Sequence, residues 1–478
     1  TLSSSSAASD VYKRQLYRFF SYSLIFIIFL NSILNLFFNR KEDVFNNINF
    51  YDLLSGLLLF IYLYAVGNLF KYTLKFESVS LGITFYLFSF FIFDSIVLFF
   101  YQKLSFSEIL FTVNLLWFLF FVFKLRNLKN VLSITIPFIS LRIYFNEFNS
   151  KFTINNNIRG DVEAVFFQQA KNIYEGSYFN SINNYVFEGY PQFLSYIQSI
   201  FLGLSSNITT YNFFSFTSHI VFYLSLLFFI ELNISNFHKF LSVSLFSSLL
   251  LNSEFLQFLF TASLMSEGLV SLFTAILTIG VINNINNSEV LDYKIFLLFG
   301  VMYFSKQFNS SLVLITILFL FFIKGRNKVV LFGFFGIVLK ELLYLFVFTE
   351  VSKDHHIGQI DVIDTIFDLL LFRDLQIQNI LSILQNLWID KPIVILFFVF
   401  YFSYIYSKIY MRRFELQTDL IYLLINLNIF FVFLIYISVW QNMELESPIR
   451  YFMNYLHLLI ISIFLVIEKT RNQVSSYK

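Results

Sequence analysis

Residues 79–101 read VSLGITFYLFSFFIFDSIVLFFY, an apolar run broken by a single carboxylate, Asp94, and by no Lys or Arg. Its length is close to the roughly 20 residues a helix needs to cross the hydrocarbon core of a bilayer. Runs of this kind recur along the chain. Spans are expected at 17–38, 52–70, 79–101, 107–125 and 130–146. After a polar stretch they resume at 210–232, 237–252, 265–283, 292–306, 309–324 and 327–349, and again at 391–411, 419–440 and 448–467. The expected fold class is therefore all-α, a polytopic integral membrane protein with about fourteen transmembrane helices. Two large non-cytoplasmic loops would carry short interfacial helices.

Composition excludes a soluble domain. Of 478 residues, 58 % are hydrophobic and only 13 % charged, against about 25 % charged in soluble domains. Mean hydropathy is +0.71. The 71 Phe and 29 Tyr, with only 14 Gly and 4 Pro, reflect a general bias toward Phe, Ile, Asn and Lys, so no single aromatic marks a site. The absence of Cys excludes disulfides and thiol chemistry. Residues 1–15, TLSSSSAASDVYKRQ, are polar and Ser-rich without an initiating Met, and are expected to be a non-native scar outside the fold.

Charge distribution orients the chain. The run Pro191 to Leu204 is short. If it does not span, Lys324/Arg326/Lys328, Lys408/Arg412/Arg413 and Lys469/Arg471 fall on the same side as Lys71, Lys75 and Lys124/Arg126/Lys129. That arrangement follows the positive-inside bias, and the opposite one breaks it. Residues 191–204 are thus expected as an interfacial or re-entrant helix, with both termini cytoplasmic. The outer loops then comprise 147–209 and 350–390.

The first outer loop holds a polar island, Asn155-Asn-Asn-Ile-Arg159-Gly160-Asp161-Val-Glu163, followed by Glu188-Gly189-Tyr190-Pro191-Gln192. The second holds Lys353-Asp354-His355-His356 and an amphipathic stretch from Asp361 to Asn386. Ionisable residues within or beside the spans are Asp94, Arg142, Glu267, Lys306, Lys340, Glu341 and Arg450. Such residues are costly in lipid unless they face a cavity or a partner. Arg142, Glu267, Lys306 and Arg450 all fall at the outer ends of their helices, on the face of the two loops.

In this order the residues resemble the GT-C superfamily of membrane glycosyltransferases, over roughly 140–470. The matching elements are Asp161-Val-Glu163-Ala164 continuing to Gln169-Ala170-Lys-Asn-Ile173, and Tyr190-Pro191-Gln192-Phe193-Leu194. Further on come Met265-Ser266-Glu267-Gly268-Leu269, Phe304-Ser-Lys306-Gln-Phe-Asn309, and Glu446-Ser447-Pro448-Ile449-Arg450-Tyr451-Phe452. Val162 separates acids that many members hold adjacent, Gln192 replaces a second Pro, and further spans precede the acidic loop. The chain then divides into an N-terminal membrane extension of about four helices at 16–129 and a catalytic membrane domain at 130–470.

The resemblance implies transfer of a sugar from a polyprenyl-phosphate donor to a hydroxyl of a glycan, lipid or protein acceptor. In a bacterium this would occur at the periplasmic face of the inner membrane. Asp161 would act as base, with Glu163 orienting the acceptor or sharing a divalent metal. Arg450 and Lys306 would hold the departing phosphate. Tyr190, Pro191, Glu267 and Tyr451 would line the pocket, and no nucleic-acid partner is implied. Read from the residues alone, Asp161 also fits a helix N-cap, and Arg450 and Lys306 also fit cations snorkelling to the interface. The alternatives by class are a lipid-linked glycan polymerase or ligase, for which His356 and Arg373 are the loop residues, and a membrane transporter.

Overall fold

The computed structural model describes residues 50–100, 106–125, 170, 173, 193–204, 210–252, 267–286, 292–302, 331–339, 391–411, 416–438 and 452–476. Among these the chain is helical, with no strand. The helices are α1 (Phe50–Leu74), α2 (Val79–Phe100), α3 (Phe106–Leu125), α4 (Phe193–Leu204), α5 (Thr210–Glu231), α6 (Asn236–Asn252), α7 (Glu267–Asn286), α8 (Tyr293–Val301), α9 (Lys391–Met411), α10 (Leu416–Ser438) and α11 (Leu456–Ser476). A 3₁₀ turn, Met453–Tyr455, leads into α11, and residues 331–339 are also helical. The all-α class holds for the described residues.

Local chemistry explains the helix ends. The Asp292 side chain accepts the Lys294 N–H at 3.1 Å and caps α8. Glu108 and Asp419 stand in the first turns of α3 and α10, where a carboxylate offsets the positive end of the helix dipole. Pro392 occupies the first turn of α9, where its missing N–H leaves no helical bond unmade. Inside the helices, buried hydroxyls and amides bond to the carbonyl one turn back: Thr84 to Ser80 at 2.9 Å, Thr274 to Val270 at 2.6 Å and Asn428 to Leu424 at 2.7 Å. A segment surrounded by lipid or apolar side chains has no water to satisfy these groups, so each must find an internal acceptor.

By length and composition, three described helices can cross a membrane: Glu267–Asn284, Pro392–Ile409 and Met453–Thr470. They differ in position. The first is 94 % and the third 83 % buried within the protein, whereas the second is only 28 % buried. Helices α7 and α11 therefore form the centre of the bundle and α9 its rim. On α9, Ile395, Phe398, Phe402, Ile405 and Ile409 repeat at helical spacing and stand exposed. A stripe of that kind is unusual on a soluble protein and is compatible with contact to lipid.

The expected spans at 52–70 and 79–101 form a bent pair. The axes of Leu59–Leu74 and Val79–Phe93 turn by 98° across their short break, so together they count as up to one further span. The helices touch backbone to backbone near the bend. A Cβ placed on Gly67 would stand 2.8 Å from the Val79 carbonyl oxygen, and one on Gly82 would stand 3.1 Å from the Gly67 carbonyl carbon. Above the crossing, Tyr62 and Tyr86 share a buried hydroxyl–hydroxyl bond of 2.8 Å. At the break itself Lys75 adopts a left-handed φ of 58°, the conformation that ends a helix abruptly.

One further segment keeps to its expected extent and one exceeds it. Helix α4 has 12 residues, about 18 Å at 1.5 Å per residue, short of the roughly 30 Å hydrocarbon core. The last helix runs to Ser476, past the apolar run expected at 448–467, because Glu468-Lys-Thr-Arg-Asn-Gln consists mainly of good helix formers.

Candidate functional site

Cross-helix contacts fix the relative directions of the central helices. Phe88 meets Phe273 (centroids 5.4 Å apart), and Leu81 lies 3.7 Å from where a Cβ on Gly280 would stand, so α2 runs antiparallel to α7. Phe246 meets the His457 ring at 4.9 Å and His238 pairs with Glu468, so α6 runs antiparallel to α11. Tyr455 donates to Asn428 at 3.2 Å while Tyr422 lies beside Ser462, so α10 also opposes α11.

One end of the bundle gathers a closed polar network. Glu231 accepts the N–H groups of Val79 and Ser80, at 2.6 and 2.8 Å. Asn283 donates to Glu77, Asn284 accepts from the Asp292 N–H, and Lys294 donates to the Leu74 carbonyl. His238, Ser235 and Glu468 continue the cluster, and Lys408 pairs with Asp419. Each of these groups has a partner from the protein itself. The arrangement ties helix ends together.

The other end is different. Ser271 bonds His457 through both its Nδ1, at 2.8 Å, and its backbone N–H, at 3.1 Å. Helices α7 and α11 both run from this level toward the network of Glu231 and Glu468, so they are parallel. Glu267 lies one turn ahead of Ser271, and the Met453–Tyr455 turn lies directly ahead of His457 and packs on α7. Glu267 and Asn454 therefore occupy the same level of the bundle, and both are wholly buried.

Helix α4 reaches this level through Tyr196, which rests edge-on against Phe91, with ring centroids 5.8 Å apart. Phe90 and Phe91 lie beyond Phe88, on the side away from the Glu231 network. On the same short helix, Ser195, Gln198 and Ser199 are buried, and the Ser199 hydroxyl is shared between the Ser195 carbonyl at 2.7 Å and the Ala170 carbonyl at 2.9 Å. Ala170 and Ile173 belong in sequence to the stretch that follows Asp161 and Glu163, and both are buried in the core. Buried hydroxyls, amides and a carboxylate at one helical level are chemically suited to hydroxyl-bearing ligands.

Asn454 is the outlier in this set. Neither its amide oxygen nor its nitrogen has a hydrogen-bond partner among the described residues. An amide buried that way costs about 1–3 kcal/mol relative to a bonded one.

Of the residues expected at the site, Glu267 is described, and it sits at the buried first turn of α7. Asp161, Glu163, Tyr190, Pro191, Lys306, Arg450 and Tyr451 lie outside the described residues, as do the 1–15 segment, the 350–390 loop, His356 and Arg373. Among the described residues there is no group of three or more His, Asp or Glu side chains able to hold a metal ion. Asn454, Gln198 and His457 were not expected. The signal for His457 was present in the sequence, as a polar ring in the middle of an apolar span. The other two carry no charge and are common in so Asn-rich a chain.

No family model matches this chain, and no curated protein or solved structure is detectably similar to it.

Proposed function

We propose that this chain is a membrane glycosyltransferase that moves a sugar from a polyprenyl-phosphate donor to an acceptor hydroxyl at the outer, periplasmic face. The full bundle would have about fourteen helices and belong to the inner membrane. The lipid phosphate is already a good leaving group. The protein has to remove or polarise the acceptor proton and stabilise charge on the departing phosphate. Asp161 is the base, Glu163 orients the acceptor, and Arg450 and Lys306 receive the phosphate. Glu267, Tyr190, Pro191 and Tyr451 line the pocket.

The observation that supports this reading is the meeting of motif neighbourhoods at one end of the bundle. Ala170, nine positions after Asp161, is held by Ser199 of α4. Helix α4 itself begins at Phe193, directly after Tyr190-Pro191-Gln192. Glu267 opens α7, and the Met453–Tyr455 turn that follows Arg450-Tyr451 packs against that helix. Segments far apart in sequence thus have anchors at one level, on the side away from the Glu231 network.

A transfer assay in membranes tests the proposal. Purified protein given polyprenyl-phosphate hexose or pentose should release polyprenyl phosphate. Asp161→Asn and Arg450→Ala, at equal folded yield, should each lose at least about a hundredfold in rate, the scale of a general base or a charge-stabilising group. Full activity in Asp161→Asn would leave that residue as a helix cap. Release from no donor by folded wild type would sink the reading.

A further inference from the structure

We infer that Asn454 reads the sugar of the lipid-linked donor, an assignment that rests on the function proposed above and adds to it the residue that recognises the sugar. Three observations converge on this side chain. It is wholly buried, and neither end of its amide meets a hydrogen-bond partner among the described residues. It sits in a 3₁₀ turn, Met453–Tyr455, that leads into α11. It shares its level with Glu267 across the contact between the turn and α7.

Nearby Asn428 provides the contrast. It is also buried, but its nitrogen donates to the Leu424 carbonyl and its oxygen accepts from Tyr455, so both ends of the amide are used. A protein that satisfies one buried amide completely and leaves its neighbour open has kept the second for something else. An amide presents a donor and an acceptor side by side, which matches a pair of adjacent hydroxyls on a sugar ring. A polyprenyl tail has no group to use it, and a phosphate can use only the donor half.

The test uses the full chain in detergent or nanodiscs, with Asn454→Leu and Asn428→Leu side by side. Probes are polyprenyl-phosphate hexose, polyprenyl-phosphate pentose and bare polyprenyl phosphate. Asn454→Leu should melt at or above the wild-type temperature without ligand, because it removes an unbonded amide. Asn428→Leu should melt lower, because it breaks two bonds. With donor, Asn454→Leu should show a KM raised about tenfold or more, the scale of one or two neutral hydrogen bonds, and binding of bare polyprenyl phosphate should be unchanged. An unchanged KM for both sugar donors would overturn the inference and leave the glycosyltransferase reading intact. Equal loss of affinity for sugar donors and for the bare phosphate would overturn it too, since the effect would not be on the sugar. If folded wild type neither binds nor turns over either donor, the proposed function fails and this assignment fails with it.

Discussion

Glu231, the last residue of α5, accepts the backbone N–H of Val79, the first residue of α2, at 2.6 Å. Its second oxygen accepts from Ser80 at 2.8 Å. A carboxylate at the C-terminus of its own helix is unfavourably placed against the dipole. Here the N-terminus of a second helix offsets that, and two orphan donors are satisfied by one side chain. Glu231→Ala should therefore destabilise the protein by about 2 kcal/mol, and Glu231→Gln, which keeps one acceptor, by about half as much. Reversible unfolding in mixed micelles measures both. Equal stability of the three proteins would mean that water serves the α2 donors as well as Glu231 does.

The crossing of α1 and α2 depends on Gly67 and Gly82. A methyl group at Gly82 would meet the backbone of Gly67, with the carbonyl carbon at 3.1 Å and the Cα at 3.2 Å, and neither helix can yield without separating. Gly82→Ala should cost about 1–3 kcal/mol, the range for overpacking against rigid atoms. Gly280 is the internal control. A Cβ there would meet the Ile295 side chain at 3.3 Å and Leu81 at 3.7 Å, groups that can shift slightly. Gly280→Ala should be within about 1 kcal/mol of wild type, aided by the helix preference for Ala. Thermal unfolding of the two variants in the same detergent decides between a backbone crossing and a general sensitivity to added volume.

His457 joins three helices. Its Nε2 meets Ser225 on α5 at 2.8 Å and its Nδ1 meets Ser271 on α7 at 2.8 Å, while the ring stacks on Phe229 at 5.6 Å. The hydrogen-bond accounting selects one tautomer. Ser225 spends its own proton on the Val221 carbonyl at 2.6 Å, so the proton between it and Nε2 belongs to the imidazole. Ser271 then donates to an unprotonated Nδ1 and accepts the His457 N–H. His457→Ala should cost about 2–4 kcal/mol through lost contacts and lost bonds. A double-mutant cycle with Ser225→Ala should return a coupling of about 1 kcal/mol. A coupling of zero would place the whole cost in packing.

The apolar runs made the helices legible, and their ends agree within a few residues wherever polarity changes sharply: Val79–Phe100 against 79–101, Asn236–Asn252 against 237–252, Lys391–Met411 against 391–411. They failed at Ser476, where helix propensity and the tie between Glu468 and His238 carry α11 beyond its apolar stretch. Contacts between distant residues left no trace in a single sequence. Nothing in Glu231 reveals that Val79 is its partner, and an Asn-rich chain hides Asn454 among many equivalents. Glu267 stood out in the sequence because a carboxylate at the start of an apolar run needs an explanation, and it lies buried in the first turn of α7.

The orientation of the bundle follows from charge, and the chain's lack of cysteine makes it directly testable. The Glu231 network and the short connections beside it should face the cytoplasm, since Lys71, Lys75 and Lys408 belong to that end. The 147–209 stretch should face outward. Single-cysteine variants Glu77→Cys and Ser288→Cys place thiols at the network end, and Ser181→Cys places one in the 147–209 stretch. Labelling intact cells with a membrane-impermeant maleimide should modify only Ser181→Cys, and permeabilised cells should label all three. Ser288 and Glu77 reacting from outside would invert the bundle. The face holding Glu267 and Asn454 would then be cytoplasmic, where an outward-facing lipid-linked donor cannot reach it, and the proposed transfer reaction would have to be abandoned.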